Sequence, residues 1–269
     1  MQENNRIGRR LAHGRFELTE WIGADFLMGI SIGRDVQQGG FVRLTFAGDV
    51  SRSADELRPI LTRDRPGLAP VVYLGPTAAD DRWAPNSTMM AEVLPPGEPL
   101  DVDSQAGNEE TIAAFGARLA SHVARVHRAG TVLGTLRPES TIVTATGDVV
   151  LLGRGERLWL MPRPNMTKPA MALPWRGGYR APEIMMTPLL VDPAPAADVF
   201  SIGVILATWL LGRFAYPGDN DFQVFMAQSQ GNHVPLPKTP LGDILTRCLL
   251  PHPQARPSLV ELENALRSN

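Results

Sequence analysis

Residue counts exclude some chemistries before any fold is considered. Of the 26 basic residues in this 269-residue chain, only Lys168 and Lys238 are lysines; the other 24 are arginine. No mechanism that needs a lysine amine within the first 167 residues is possible. Cys248 is the single cysteine and lies in the apolar run Arg247-Cys248-Leu249-Leu250. It has no partner for an internal disulfide, and its surroundings suit a small buried hydrophobe better than a low-pKa nucleophile. Asp25, Arg43, Glu56 and Arg154 are scattered charges that make no coherent acid–base pair or metal set. No metal and no cofactor is expected.

The elements that must position these residues change character along the chain. The first 90 residues read as short strands: 15–22, 30–32, 41–46, 71–74 and 88–93. A Gln37-Gln38-Gly39-Gly40 turn joins two of them. Ser53 to Leu61 reads as a helix, with Ser53 and Glu56 in capping-box spacing and Pro59 weakening its end. The run Leu94-Pro95-Pro96-Gly97-Glu98-Pro99 is a rigid connector. Beyond it, apolar residues at Ile112, Phe115, Leu119, Val123 and Val126 give a helical stripe. Two short strands follow at 141–143 and 149–152, and residues 154–180 are irregular. From Pro182 the pattern is mainly helical. The fold class is α+β: a β-rich lobe over residues 1–93 and a larger helical lobe over 94–269.

Acidic and basic side chains nearly cancel, at a net charge of −2, which gives no reason to expect a nucleic acid or an anionic membrane. The longest nearly apolar run, 199–211, is broken by Ser201, Gly203 and Thr208. It falls short of the roughly 20 residues that span a bilayer, so it reads as a buried helix. The polar start, Met1 to Arg10, has no apolar stretch behind it and does not read as a signal peptide. A cytoplasmic location is the expectation, with a membrane segment beyond Asn269 left open.

Three blocks carry a resemblance. They are Gly178-Tyr179-Arg180-Ala181-Pro182-Glu183, the run Asp198-Val199-Phe200-Ser201-Ile202-Gly203-Val204-Ile205-Leu206, and the stretch from Cys248 through Pro251-His252-Pro253 to Arg256-Pro257-Ser258. In order and spacing they resemble the C-lobe landmarks of the protein kinase family, which include an Ala-Pro-Glu signature. The resemblance covers residues 15–266 and implies a bilobal fold of the bacterial Ser/Thr kinase type. It also implies an ion pair between Glu183 and Arg256, and hydrogen bonds from the catalytic-loop backbone to Asp198.

The same resemblance assigns the catalytic positions, and almost all are replaced. A kinase needs a Gly-rich loop, a phosphate-bridging Lys, a catalytic Asp, and a metal-binding Asn and Asp. Gly23 matches the first loop glycine, whereas Asp25 and Met28 stand where the next two belong. Thr45 takes the place of the lysine, and Glu56 aligns with its usual helix partner. Arg43 replaces the small residue that roofs the adenine. It either projects into the nucleotide site, pairing with Glu56, or snorkels to solvent. His-Arg-Asp becomes Leu133-Gly134-Thr135, so Thr135 replaces the base. Arg137 replaces the loop Lys and Ser140 the metal-binding Asn. Asp-Phe-Gly becomes Gly153-Arg154-Gly155. His127-Arg128 falls six residues early and is not the motif. Without an Arg at Gly134, phosphorylation of Thr167 lacks its usual partner.

A pseudokinase is expected from this, acting as a scaffold or allosteric partner of another protein and not binding Mg-ATP. A nucleotide sensor without phosphoryl transfer, and an enzyme with repurposed cleft chemistry, are the alternatives. Two surfaces are candidates for the partner. One comprises Trp159, Met161, Met166, Met171 and Trp175, for which packing against the helical lobe is the first reading and partner docking the second. The other is Phe222 and Phe225, with Met226.

Overall fold

Alternating side chains in the first third of the chain become an antiparallel sheet of order β1-β2-β3-β4-β6-β5. Its strands are β1 (Arg10–Leu11), β2 (Phe16–Ala24), β3 (Met28–Asp35), β4 (Phe41–Ala47), β5 (Val71–Pro76) and β6 (Thr88–Leu94). The computed structural model describes residues 7–24, 28–47, 54–63, 65–77, 88–102, 106–153, 178–186 and 193–269. Strand β2 runs two residues beyond the end expected at 22, past register shifts between Leu18 and Glu20 and between Trp21 and Gly23, and β1 lies outside the expected strands. On one face of the sheet, Leu11, Phe16, Leu18, Val42, Leu44 and Met89 form an apolar core. The two-residue period of a strand sends Arg43 and Thr45 of β4, with Met90 and Glu92 of β6, to the opposite face.

Helix α1 (Ala54–Leu61) carries Pro59 in its interior and still reaches Leu61. A proline there removes one backbone bond, and burial of Leu57 and Leu61 outweighs it. Ser53, the expected cap, lies outside the described residues.

A charged knot fixes the β3–β4 hairpin. Arg15 donates to the Asp35 carboxylate from Nε and Nη2, at 3.1 and 2.8 Å, and to the Val72 carbonyl from Nη1 at 3.1 Å. The other Asp35 oxygen accepts the N–H groups of Gln37 and Gln38. Gly39 and Gly40 complete the turn at φ +78° and +85°, a region that favours glycine. Burial alone would raise the Asp35 pKa. The Arg15 and backbone hydrogen bonds outweigh it and hold the carboxyl below its ordinary value.

The second unit is mainly helical. Its elements are β7 (Glu98–Pro99), α2 (Glu109–Arg128), β8 (Thr141–Val143), β9 (Val149–Leu151), α3 (Pro182–Met186), α4 (Pro195–Leu211), α5 (Asp221–Gln230), α6 (Pro240–Cys248) and α7 (Leu259–Arg267). Strands β7, β8 and β9 form a small antiparallel sheet. Asn108 caps α2 by accepting from the Thr111 N–H, and Ser258 with Glu261 forms a capping box on α7. Helix α4 is buried from Ala197 to Thr208 and packs closely on α6. A Cβ at Gly203 would come within 2.5 Å of the Cys248 Cβ, so glycine is required for that approach. Burial pushes the Cys248 thiol up to about 12, which removes it as a nucleophile.

The fold is α+β. The chain divides between Pro96 and Gly97, inside the proline-rich connector and three residues past the expected boundary at 93. Leu152 and Gly153 group with the β-rich unit. Among the described residues, no helix is long and apolar enough to cross a membrane.

The Asp35 knot makes a prediction about acid stability. A depressed carboxyl pKa contributes stability that is present above the unfolded value, about 3.9, and is lost as pH falls through the folded value. Asp35→Asn should therefore be less stable than the wild type at pH 7, and the gap should close below about pH 4. Urea denaturation of both proteins across that range checks it.

Candidate functional site

In the β-rich unit, the second face of the sheet is closed. Arg43 is 3% exposed, which excludes the solvent-directed arrangement. In register it stands between Ile32 of β3 and Glu92 of β6, and Glu92 is 0% exposed. Cross-strand partners share a face, so both residues stand on the same side of the sheet. Glu56 sits on the exposed side of α1. Thr45, two residues on, is 0% exposed, and its hydroxyl has no hydrogen-bond partner among the described residues.

Glu92 also receives the backbone N–H of Gly153, at 3.1 and 3.3 Å to its two oxygens. Gly153 has φ +118°, which a residue with a Cβ rarely adopts. Gly23 pairs with Ile30 across the β2–β3 hairpin, and Met28 pairs with Ala47 of β4. Asp25, Arg154, Thr167, Trp159, Met161, Met166, Met171 and Trp175 lie outside the described residues.

In the helical unit, Asp198 organises the turn after α2. Its carboxylate is 0% exposed and accepts the N–H groups of Leu133 and Gly134, at 2.8 and 2.7 Å. His127 Nε2 lies 2.7 Å from Asp198 Oδ2, a third hydrogen bond to the same carboxylate. Sequence reasoning set His127 aside as a false motif. The available signal was its place in the last turn of α2, one residue after the buried Val126. Gly134 has φ +66°, and a Cβ there would meet the Pro193 ring at 2.9 Å.

Downstream, Thr135 and Ser140 are buried. The Ser140 hydroxyl donates to the Arg137 carbonyl at 3.0 Å and accepts the Arg137 N–H at 3.2 Å, closing the turn at 138–140. Arg137 is buried, with Glu139 at 3.8 Å.

Arg256 is the second organiser of this unit. It donates to both Glu183 oxygens, at 2.6 and 2.8 Å, and to the carbonyls of Ala196, Leu250 and Pro251. Its guanidinium lies 4.8 Å from the Phe200 ring centroid. On α5, Phe222 is 58% exposed and Met226 is exposed, whereas Phe225 is half-buried.

The solved kinase domain of Mycobacterium tuberculosis PknI superposes on this chain with a TM-score of 0.62. The match covers 97% of this chain and 98% of that one, at 15% identity. The chain has the protein kinase fold. No family model matches the sequence. Among curated proteins, the SNF-related serine/threonine-protein kinase of Rattus norvegicus is 29% identical over 162 residues, 58% of this chain. Serine/threonine-protein kinase PkaB of Streptomyces coelicolor is 27% identical over 177 residues, 62% of this chain. The matched region spans 21% of the first relative and 41% of the second.

The residues at the kinase positions do not fit Mg-ATP. Thr45 has no charge for the phosphates, and Ser140 and Gly153 offer no carboxylate or amide side chain to a metal ion. Ser140 spends its hydroxyl inside its own turn. Arg43 and Glu92 occupy the face on which the resemblance places the base. Among the described residues, no group of three His, Cys, Asp or Glu side chains could hold a metal ion.

Two predictions follow from the kinase skeleton. Arg256→Ala strips a largely buried ion pair of one partner and should cost about 3–5 kcal/mol, read by urea denaturation. Asp198→Asn should speed amide exchange at Leu133 and Gly134 while leaving exchange in α7 unchanged, read residue by residue by NMR.

Proposed function

We propose that this chain is a pseudokinase that works by binding another protein. One observation carries the reading: the four positions of the phosphate-binding Lys, the base and the two metal ligands hold Thr45, Thr135, Ser140 and Gly153. None carries a charge. Loss of a general base alone costs about 10²–10⁴ in rate. Loss of metal ligation adds to it, because nothing then neutralises the phosphate charge.

The backbone supports the same reading. Gly134 and Gly153 stand where a kinase has the Arg of its catalytic loop and its metal-binding Asp, and both have positive φ. Side chains at these two places conflict with the local chain path, so the losses are built into the fold. What is retained is framework: Asp198 with its loop, and Arg256 with Glu183. A protein that keeps this framework without the reactive groups offers surfaces. Phe222 and Met226, one helical turn apart on α5, give an exposed apolar strip suited to a protein partner.

Thermal denaturation tests the reading. Millimolar ATP or ADP, with Mg²⁺ or Mn²⁺, should leave Tm unchanged, and the purified protein should transfer no phosphate to itself or to a generic substrate. A ligand at 100 times its Kd stabilises by about 2.7 kcal/mol, so binding would be plain. A metal-dependent rise in Tm without transfer would establish the nucleotide sensor instead. Phosphoryl transfer abolished by a change on the Arg43 face would overturn the pseudokinase.

A further inference from the structure

Gln228 on α5 is fully buried, yet only half of its amide is used. We infer that this amide is a weak latch coupling α5 to the chain that enters α3, so that a protein seated on the exposed strip of α5 controls where residues 178–181 lie. This rests on the reading that the strip takes a partner, and it names what that contact regulates.

The first observation is energetic. Nε2 of Gln228 donates to the Gly178 carbonyl, whereas Oε1 is buried with no hydrogen-bond partner among the described residues. A buried acceptor left unmade costs at least as much as one neutral hydrogen bond returns. A methionine of similar volume would fill the same place without that cost. The amide is explained by what it holds, not by what it adds to stability.

The second observation is steric and comes from the other end of the contact. A Cβ at Gly178 would strike the Val224 side chain, and would meet Gln228 Nε2 at 2.8 Å and the Phe214 ring at 2.9 Å. Glycine is required for this approach, as the amide is for the bond. Next in the chain, the Tyr179 ring packs edge-on against Phe214, with centroids 5.4 Å apart.

The third observation is the contrast between the two anchors of the run. Its rear is held by the charged, bidentate pair of Glu183 with Arg256. Its front is held by a neutral bond and apolar contacts, so the front is where it lets go. Val224 and Gln228, one turn apart on the buried side of α5, grip that front, while Phe222 and Met226, also one turn apart, are exposed. The two pairs share two turns of one helix, so a shift of one moves the other. Coupling of this kind is reciprocal.

The test uses the protein alone. Gln228→Met removes the donor and the unpartnered oxygen together. Its urea midpoint should equal or exceed that of the wild type. Amide exchange at Ile184, whose N–H is held by the Ala181 carbonyl, should speed by about threefold to tenfold, with exchange in α7 unchanged. Gly178→Ala, which forces the run off α5 from the other side, should give the same exchange pattern and shift the amide resonances of Phe222 and Met226. A lowered midpoint in Gln228→Met, with exchange at Ile184 and in α7 raised alike, marks an ordinary stabilising bond and overturns the latch. Unchanged exchange at Ile184 overturns it too. Either result leaves the pseudokinase reading standing, because nucleotide binding and phosphoryl transfer decide that reading.

Discussion

The helical unit depends on a rule about buried charge: a guanidinium taken out of water must have nearly all its donors used. Arg256 meets that rule with Glu183 and three backbone carbonyls, and it rests on the Phe200 ring. Those partners come from α3, from the start of α4, and from the chain between α6 and α7. One side chain therefore sets the spacing of segments far apart in sequence. Asp198, two residues along α4 from Ala196, meets the same rule from the acidic side. It converts the position of α4 into the position of the loop at 133–134. The loop is held with Thr135 at the position where the resemblance places a base.

The β-rich unit solves a different problem. Its two faces carry different side chains, one hydrocarbon and the other including the buried Arg43, Thr45 and Glu92. The apolar face follows from burial of Val42, Leu44 and Phe46 on alternate positions. On the other face, the Glu92 carboxylate accepts the Gly153 N–H. Both chemical solutions are written into one strand, β4, by its two-residue period.

Much of this was legible in the sequence. The order of the longer strands and helices and the matched landmarks at Glu183, Asp198 and Arg256 follow from periodicity and motif spacing, whereas the two-residue strands β1 and β7 were not foreseen. Glu92 and His127 were not legible. Glu92 matters because it accepts the N–H of Gly153, 61 residues away in sequence, a non-local contact. His127 matters because α4 brings Asp198 beside it, 71 residues away in sequence. Pro59 misled for a related reason: its local cost was readable, but the burial of Leu57 and Leu61 that outweighs it was not.

The two glycines at positive φ have a consequence for descent. A lost side chain is ordinarily recoverable by one reverse substitution. At Gly134, a restored arginine would strike Pro193. At Gly153, a restored aspartate would be strained at φ +118°. Each reversion requires neighbouring changes that are harmful or neutral alone. The geometry thus acts as a ratchet: from the chain as it is folded, a return to the side chains that the resemblance places at these positions runs through less stable proteins.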